Sequence, residues 1–217
     1  MHVLITAGPT REHIDDVRFL TNASSGRMGY ALAAAAQQRG WQVTLVSGPV
    51  SLEPPLGVEM RQVTSAAEML DVCLDVWPRA DGAIAVAAVS DYRPATRHVG
   101  KLHRTADPLR LELLPNPDIL AELGRRKSQQ WTVGFAVESH DLLERARAKI
   151  AAKNCDAIIV NHAAAMEATE SSIQLLDRSG QVSLEFHGEK TLAAERIIQW
   201  IERNLASATA ADEHATN

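Results

Sequence analysis

The stretch HVLITAGPTREHIDDVRFLTNASSGRMGYALAAAA, residues 2–36, determines the architecture of this chain. It begins with a short apolar run, residues 2–6, which is typical of a buried strand. Gly8 and Pro9 end that run. Residues 22–29, NASSGRMG, then lead into an alanine-rich helix. A strand, a loop of small residues and a helix start predict a phosphate site, because free backbone N–H groups and the helix dipole favour an anion.

The same stretch lacks the fingerprint of a nicotinamide cofactor site, which has the form G-x-G-x-x-G directly after the strand. Here AGPT follows the strand, and the next glycines are Gly26 and Gly29. The second predicted strand ends at residue 46, and SGP follows it in place of the acid that would bind a ribose. An NAD(P)-dependent oxidoreductase therefore stays open only as an alternative.

Length and composition indicate one α/β domain with a sizeable core, since the chain has 217 residues, of which 46% are hydrophobic. The net charge of −5 predicts no general attraction to nucleic acid or to an anionic membrane surface. The sequence has neither a membrane-length apolar run nor a recognisable signal peptide, so a cytoplasmic location is predicted. Cys73 and Cys155 form no C-x-x-C pair and are predicted to be buried, reduced thiols.

Apolar runs alternate with helical patterns along most of the chain. This alternation predicts a Rossmann-like, doubly wound, mostly parallel sheet with helices on both faces. A hairpin signal at residues 177–180 and a last helix at 189–204 follow, and residues 206–217 are predicted to be a disordered tail. Strands are predicted at residues 2–6, 41–46, 58–63, 81–89, 131–136 and 155–160, and helices at 28–39, 65–76 and 139–153.

Residues 93–114 interrupt the alternation and contain several basic side chains without a helical period. We expect this segment to form an arm, or flap, that leaves the sheet, within a single domain of residues 1–205. The next helix should begin at Asn116-Pro117-Asp118, with a capping residue followed by a first-turn proline. Eight histidines give no metal constellation, and no protein-bound metal is predicted.

Ligands of such sheets bind outside the carboxyl ends of the strands. Residues predicted to lie at these ends could therefore face a common crevice. They are Gly8, Ser47, Asp91, Phe135 and Asn161.

Several segments together are similar to phosphopantothenoylcysteine synthetase, the phosphopantothenate–cysteine ligase of coenzyme A synthesis. The resemblance runs from residue 5 to about residue 161 in the order of the family. It also includes Lys101 and a helix that carries Lys149 and Lys153. The matching segments are ITAGPTRE, IDDVRFLTNASSGRMGYALA, VTLVSGPV, AAVSDYRP, NPDIL, VGFAVES and DAIIVN.

The resemblance implies a two-step ligation. The carboxylate of 4′-phosphopantothenate attacks the α-phosphate of CTP and releases pyrophosphate, and the amine of L-cysteine then attacks the acyl-cytidylate and releases CMP. Mg²⁺ is expected to arrive with the CTP. A homodimer and a separate or fused flavin-dependent decarboxylase are also implied. Related enzymes use ATP, but AAVSDYRP and the spacing from Phe135 to Lys149 and Lys153 favour CTP.

The resemblance also assigns site residues. Asn22 and Lys101 are implied to be catalytic. The implied phosphopantothenate site comprises Gly8, Arg18, Asn22 and Arg27. The implied CTP site comprises Ser24, Ala85, Val86, Ala87, Asp91, Lys101, Pro117, Asp118, Ile119, Leu120, Phe135, Lys149 and Lys153.

These residue types suit substrates that carry many negative charges, since electrostatic stabilisation is the main contribution of such a site. Lys101 could close over the nucleotide if the arm moves. Lys149 and Lys153 are four residues apart and share one helix face. Arg27 keeps the charge of a lysine that is common in the family, with a different geometry. The alternative for the lysines is that they are solvated surface charges. The alternative for the whole chain is a non-catalytic nucleotide-binding partner of a separate enzyme.

Overall fold

A computed structural model describes residues 1–138, 142–162 and 170–206. The strands are β1 (His2–Ala7), β2 (Arg11–His13), β3 (Phe19–Thr21), β4 (Gln42–Ser47), β5 (Glu59–Gln62), β6 (Gly82–Ala85), β7 (Tyr92–Pro94), β8 (Leu113–Pro115), β9 (Trp131–Glu138), β10 (Ala157–His162), β11 (Glu170–Asp177) and β12 (Val182–Glu189). The helices are α1 (Arg27–Gln38), α2 (Ala66–Val76), α3 (Ile119–Arg126), α4 (Leu142–Ala152) and α5 (Lys190–Ile201). Short helical turns, Trp77–Arg79 and Glu202–Ala206, follow α2 and α5.

Eight strands form the main sheet in the order β12-β11-β10-β9-β6-β1-β4-β5. The six strands from β10 to β5 are parallel, whereas β11 and β12 are antiparallel. The chain order reverses between β1 and β6, which is where open α/β sheets form their ligand crevice. The predicted doubly wound α/β fold with a C-terminal hairpin is confirmed.

Helices cover both faces of this sheet. Helices α1 and α5 enclose one apolar core with β1, β4 and β9, and helices α2 and α3 enclose a second core on the other face. At the beginning of α1, a Cβ atom on Gly29 would lie 2.5 Å from the Cβ of Ala7. The absence of a side chain at Gly29 therefore lets α1 start directly over the end of β1.

The predicted strand at residues 81–89 is wrong in its second half, because β6 ends at Ala85. The side-chain oxygen of Thr6 accepts hydrogen bonds from the backbone N–H groups of Val86 and Ala87, at 3.2 Å each. The N–H of Ala88 then donates to the carbonyl of Gly8 at 2.9 Å. This apolar segment therefore follows the loop after β1 and does not extend the sheet.

Two local features were also not predicted correctly. No element was predicted for the polar segment after Pro9, in which β2 and β3 pair as an antiparallel hairpin. Helix α3 is capped by Asp118, whose carboxylate accepts from the N–H of Ala121 at 3.0 Å. Pro117 therefore precedes the cap and does not occupy the first turn.

The predicted arm contains a small antiparallel ladder. Strands β7 and β8 pair at its base, and residues 95–112 form the long connection between them. The domain boundaries at residues 93, 114 and 205 stay predictions. Residues 207–217 and the predicted helix start at 139–141 lie outside the described residues.

Both cysteine side chains are buried, as expected. Burial raises the pKa of Cys73 to about 12 and that of Cys155 to about 11. Within the described ranges, no helix has the length and apolar character needed to span a bilayer. Those ranges also contain no group of three or more acidic, histidine or cysteine residues that could hold a metal ion.

Candidate active site

Helix α1 begins without a side-chain cap. Its N-cap residue is Gly26, whose φ angle of 76° lies in the left-handed region that favours glycine. A Cβ atom there would also lie 2.9 Å from Val50 Cγ1. The first N–H groups of α1 are therefore available to an anion, and the helix dipole favours one at this end.

A small cavity of about 120 Å³ lies at this helix start, and we call it the α1 pocket. It lies between the first turn of α1, the segment after β6 and the ends of β9 and β10. The sequence-predicted residues that line it are Gly8, Ser24, Arg27, Val86, Ala87 and Phe135.

Two buried polar residues complete the α1 pocket, namely Asn161 at the end of β10 and Lys190 at the start of α5. Each is only 8% exposed. Burial lowers the pKa of Lys190, and the nearby charge of Arg27 lowers it further. The side-chain oxygen of Asn161 has no hydrogen-bond partner among the described residues. A buried polar atom without a partner is costly, so a polar ligand is expected beside it.

A second cavity, the large cleft, has a volume of about 660 Å³. This volume lies within the range of about 300–1,000 Å³ that is typical of ligand pockets. The large cleft adjoins the α1 pocket, and Ala87, Ala88 and Phe135 line both. The other sequence-predicted residues that line it are Asn22, Ala85, Asp91, Pro117, Asp118, Ile119, Leu120, Lys149 and Lys153.

Asn22 directly follows β3, and its side chain is hydrogen-bonded to the segment after β6. Its side-chain nitrogen donates to the carbonyl oxygens of Ala88 and Val89, at 3.1 and 3.0 Å. Asn22 therefore fixes the backbone at the junction of the two cavities. Its implied catalytic role stays a prediction, and donation to a substrate oxygen would require the amide to release one of these two carbonyls.

Lysine charges occupy the far side of the large cleft. The ammonium of Lys153 lies 2.8 Å from Asp118 Oδ2, and Lys149 lines the cleft one helical turn before it. Both members of the Lys153–Asp118 pair are partly exposed. Such pairs contribute little to stability, so a triphosphate could replace Asp118 as the partner of Lys153.

Comparison with known proteins identifies the family. Residues 1–205 match the family described as "DNA/pantothenate metabolism flavoprotein C-terminal domain". The chain belongs to this family. It is similar to the coenzyme A biosynthesis bifunctional protein CoaBC of Bacillus subtilis, with 52% identity over 74% of this chain and 40% of that protein. The corresponding protein of Vibrio parahaemolyticus is 42% identical over 88% of this chain and 50% of its own length.

A solved structure gives the same result for the fold. The crystal structure of the C-terminal domain of a coenzyme A biosynthesis bifunctional protein CoaBC is 40% identical to this chain. The two superpose with a TM-score of 0.83 over 95% of this chain and 96% of the other. The chain spans about half the length of the curated relatives that it matches. It therefore corresponds to the C-terminal domain of those bifunctional family members.

Two residues assigned by resemblance to this family lie outside both cavities. Lys101 is exposed on the arm and lines neither of them. Arg18 forms an ion pair with Asp15 and donates to the carbonyl of Leu102 at 2.7 Å. A single chain in this conformation therefore does not bring Lys101 and Arg18 to the other predicted site residues.

No local pattern in the sequence indicates Lys190, which directly follows the hairpin. Asn161 was predicted at a strand end facing the crevice but was not assigned to a ligand. Asn116 was expected only to cap α3, but Asp118 does so, and the Asn116 side chain instead lines the large cleft and donates from its nitrogen to the Ser90 carbonyl at 2.8 Å. The contributions of these residues to the two cavities become apparent only from the three-dimensional arrangement of the strand ends.

Proposed function

We propose that this chain is a ligase that joins 4′-phosphopantothenate to L-cysteine with CTP as the activating nucleotide. The observation that supports this proposal most strongly is the junction of an anion pocket with a nucleotide-sized cleft. Ala87 and Phe135 line both cavities. Two phosphorylated substrates could therefore bind side by side, as an acyl-nucleotide reaction requires. Membership of a family that includes coenzyme A biosynthesis proteins supports the same substrates.

The α1 pocket suits the phosphate of phosphopantothenate. The start of α1 offers backbone N–H groups, while Arg27 and Lys190 supply positive charge at the pocket wall. The amide of Asn161, whose oxygen has no partner among the described residues, can contribute its nitrogen to the phosphate after rotation of the amide group. With its phosphate in this pocket, a substrate could direct its carboxylate towards the large cleft.

The large cleft suits CTP. A carboxylate oxygen of phosphopantothenate would attack the α-phosphorus, and the bond to pyrophosphate would break. The amine nitrogen of cysteine would then attack the acyl carbon, give up a proton and displace CMP. Lys149 and Lys153 line the cleft and would stabilise the charge of the phosphates. Backbone groups of the turn before α3 could contact the cytosine.

Mg²⁺ is compatible with the residues of the cleft. Mg²⁺ usually binds through one or two carboxylates, substrate phosphates and water. Asp91 lines the cleft and is exposed, whereas Asp118 already caps α3 and pairs with Lys153. We therefore assign Asp91 as the carboxylate that would hold the ion. When bound, Mg²⁺ would neutralise charge on the departing pyrophosphate.

The first prediction concerns nucleotide choice. The chain should release pyrophosphate when it receives CTP and phosphopantothenate together, and the nucleotide product should be CMP. A coupled pyrophosphate assay with each of the four nucleoside triphosphates, with and without phosphopantothenate and cysteine, measures this directly. Formation of CDP and free phosphate would contradict the acyl-cytidylate route, and a preference for ATP would contradict the assignment of CTP.

The decarboxylase partner and the cytoplasmic location stay predictions.

We also propose that the chain forms a homodimer through the arm. The arm exposes large apolar side chains, including Val99, which is 100% exposed, and Leu109, which is 61% exposed. Tyr92, Leu113 and Leu114 on the β7–β8 ladder are also exposed. A second copy that covered this surface could bring Lys101 and Arg18 to a cleft that they do not line within one chain.

The second prediction is therefore a dimeric mass in solution at micromolar concentration, measured by light scattering after size exclusion. Replacement of Leu109 by serine should shift the mass towards that of the monomer. Leu56→Ser is the matched control, since Leu56 is 92% exposed and lies outside the arm. A fully active monomer would refute the dimer proposal.

A further inference from the structure

The turn between β2 and β3 holds the arm on both sides of Lys101. Asp15 Oδ2 accepts a hydrogen bond from the backbone N–H of Leu102 at 3.0 Å. Asp16 Oδ2 accepts one from the backbone N–H of Gly100 at 2.7 Å. Two neighbouring carboxylates therefore bind the residues immediately before and after Lys101, while its own side chain is exposed.

Further contacts secure the same segment. The carbonyl of Leu102 accepts from the guanidinium of Arg18 at 2.7 Å. The guanidinium of Arg97 donates to Asp16 Oδ1 at 3.1 Å. The N–H of His98 donates to the carbonyl of Ile14 at 2.9 Å. These contacts join residues that are more than 80 positions apart in the sequence, so they dock the arm and are not local turn geometry.

The two carboxylates differ in their surroundings. Asp15 is buried, and it also accepts hydrogen bonds from the backbone N–H groups of Val17 and Arg18. The Arg18 guanidinium holds the pKa of Asp15 well below its usual range, with further contributions from the backbone donors. Asp15 therefore remains ionised as pH falls through the range in which an ordinary aspartate becomes neutral. Asp16 is about half exposed, so it can be altered with less risk to the fold.

We propose that Asp15 and Asp16 are positioning residues for Lys101, which they hold at the place from which it reaches a nucleotide in the large cleft of a second copy of the chain. This inference rests on the proposed function, in which Lys101 contacts the triphosphate. The arm needs such support because Gly100 has a φ of 76°, and among the described residues only its chain neighbours come within 4 Å of the position that a Cβ atom would take. Displacement of a reacting group by about 1 Å can cost about 10²-fold in rate, so fixing both neighbouring residues has a large effect.

The test compares Asp16→Asn with Asp107→Asn. Asp107 lies on the same arm and is exposed, and its carboxylate forms no hydrogen bond or ion pair with the described part of the chain. Asp16→Asn should lower kcat/KM for CTP by about 10- to 100-fold, as expected for loss of a hydrogen bond to a charged group. KM for phosphopantothenate should not change, and Asp107→Asn should match the wild type. Equal kinetics for Asp16→Asn and the wild type would overturn the proposal.

A double-mutant cycle with Lys101→Gln separates positioning from a general structural effect. If Asp16 acts through Lys101, Asp16→Asn should have no further effect when Lys101 is already glutamine. If the double variant lost kcat/KM by the product of the two single-variant factors, the proposal would be overturned. Asp15→Asn should give the same result in a cycle with Lys101→Gln, at temperatures at which thermal unfolding shows that the variant is folded.

Hydrogen exchange gives a readout that does not depend on activity. The backbone amides of Gly100 and Leu102 should exchange faster in Asp16→Asn than in the wild type or Asp107→Asn. Unchanged exchange would overturn the docking of the arm. A wild-type chain without CTP-dependent pyrophosphate release would instead refute the proposed function, so the two failures are distinguishable.

Discussion

Replacement of Asn22 by aspartate is expected to slow the attack of cysteine by about 10²–10³-fold, the usual cost of removing one stabilising donor, if the amide exchanges one of its backbone carbonyl partners for an oxygen of the acyl-cytidylate during the reaction. The Asn22 amide lies at the junction of the α1 pocket and the large cleft, where it donates to the carbonyls of Ala88 and Val89. Aspartate has almost the same shape. Its carboxylate would face two carbonyl oxygens, could not donate when ionised, and would repel phosphate.

The expected signature of Asn22→Asp is accumulation of the acyl-cytidylate, detected by mass spectrometry of a quenched reaction. Asn204→Asp is a matched control. The side-chain nitrogen of Asn204 also donates to a backbone carbonyl, that of Trp200, at 2.8 Å, but it lies after α5. Turnover of Asn22→Asp at the wild-type rate, or complete loss of CTP binding, would contradict the role assigned to Asn22.

The substitution Lys101→Gln should lower kcat/KM for CTP by about 30- to 1,000-fold, which corresponds to about 2–4 kcal/mol of transition-state stabilisation. The expected cause is loss of a positive charge that the arm brings to the triphosphate. The melting temperature should stay nearly unchanged, because the side chain of Lys101 is exposed.

Lys127→Gln is a control for Lys101→Gln in which the melting temperature is expected to change. Lys127 is largely buried and pairs with Asp156 at 2.8 Å, so its loss should lower the melting temperature, because the mostly buried Asp156 then keeps only the longer ion pair with Arg178, at 3.4 Å. Steady-state kinetics and thermal unfolding of both variants give the comparison. A large fall in the melting temperature of Lys101→Gln would show that Lys101 is structural.

The main sheet could be predicted because its signals are local. Apolar runs such as residues 2–6 and helix patterns such as residues 28–39 define their elements within a short window. The errors arose where distant residues decide the backbone. Thr6, 80 positions earlier in the sequence than Val86, turns the apolar segment after Ala85 away from the sheet.

The candidate site shows the same difference between features with a local sequence signal and features that depend on contacts between distant residues. Most of the predicted nucleotide residues line one cleft, because the carboxyl ends of parallel strands meet at a single edge of the sheet. Lys190 escaped prediction because nothing near it in the sequence indicates that α5 begins at the α1 pocket. The positions of Lys101 and Arg18 depend on how the arm docks, and no local pattern in residues 93–114 specifies that docking.

The two buried thiols have a consequence for an enzyme whose proposed substrate is itself a thiol. Free cysteine is accompanied by its oxidised form, cystine, and a protein thiolate can attack that disulfide to form a mixed disulfide. The attacking species is the thiolate, and the raised pKa values of Cys73 and Cys155 keep both groups protonated and enclosed. The protein can therefore work among reactive small thiols without exchanging its own sulfur atoms with them.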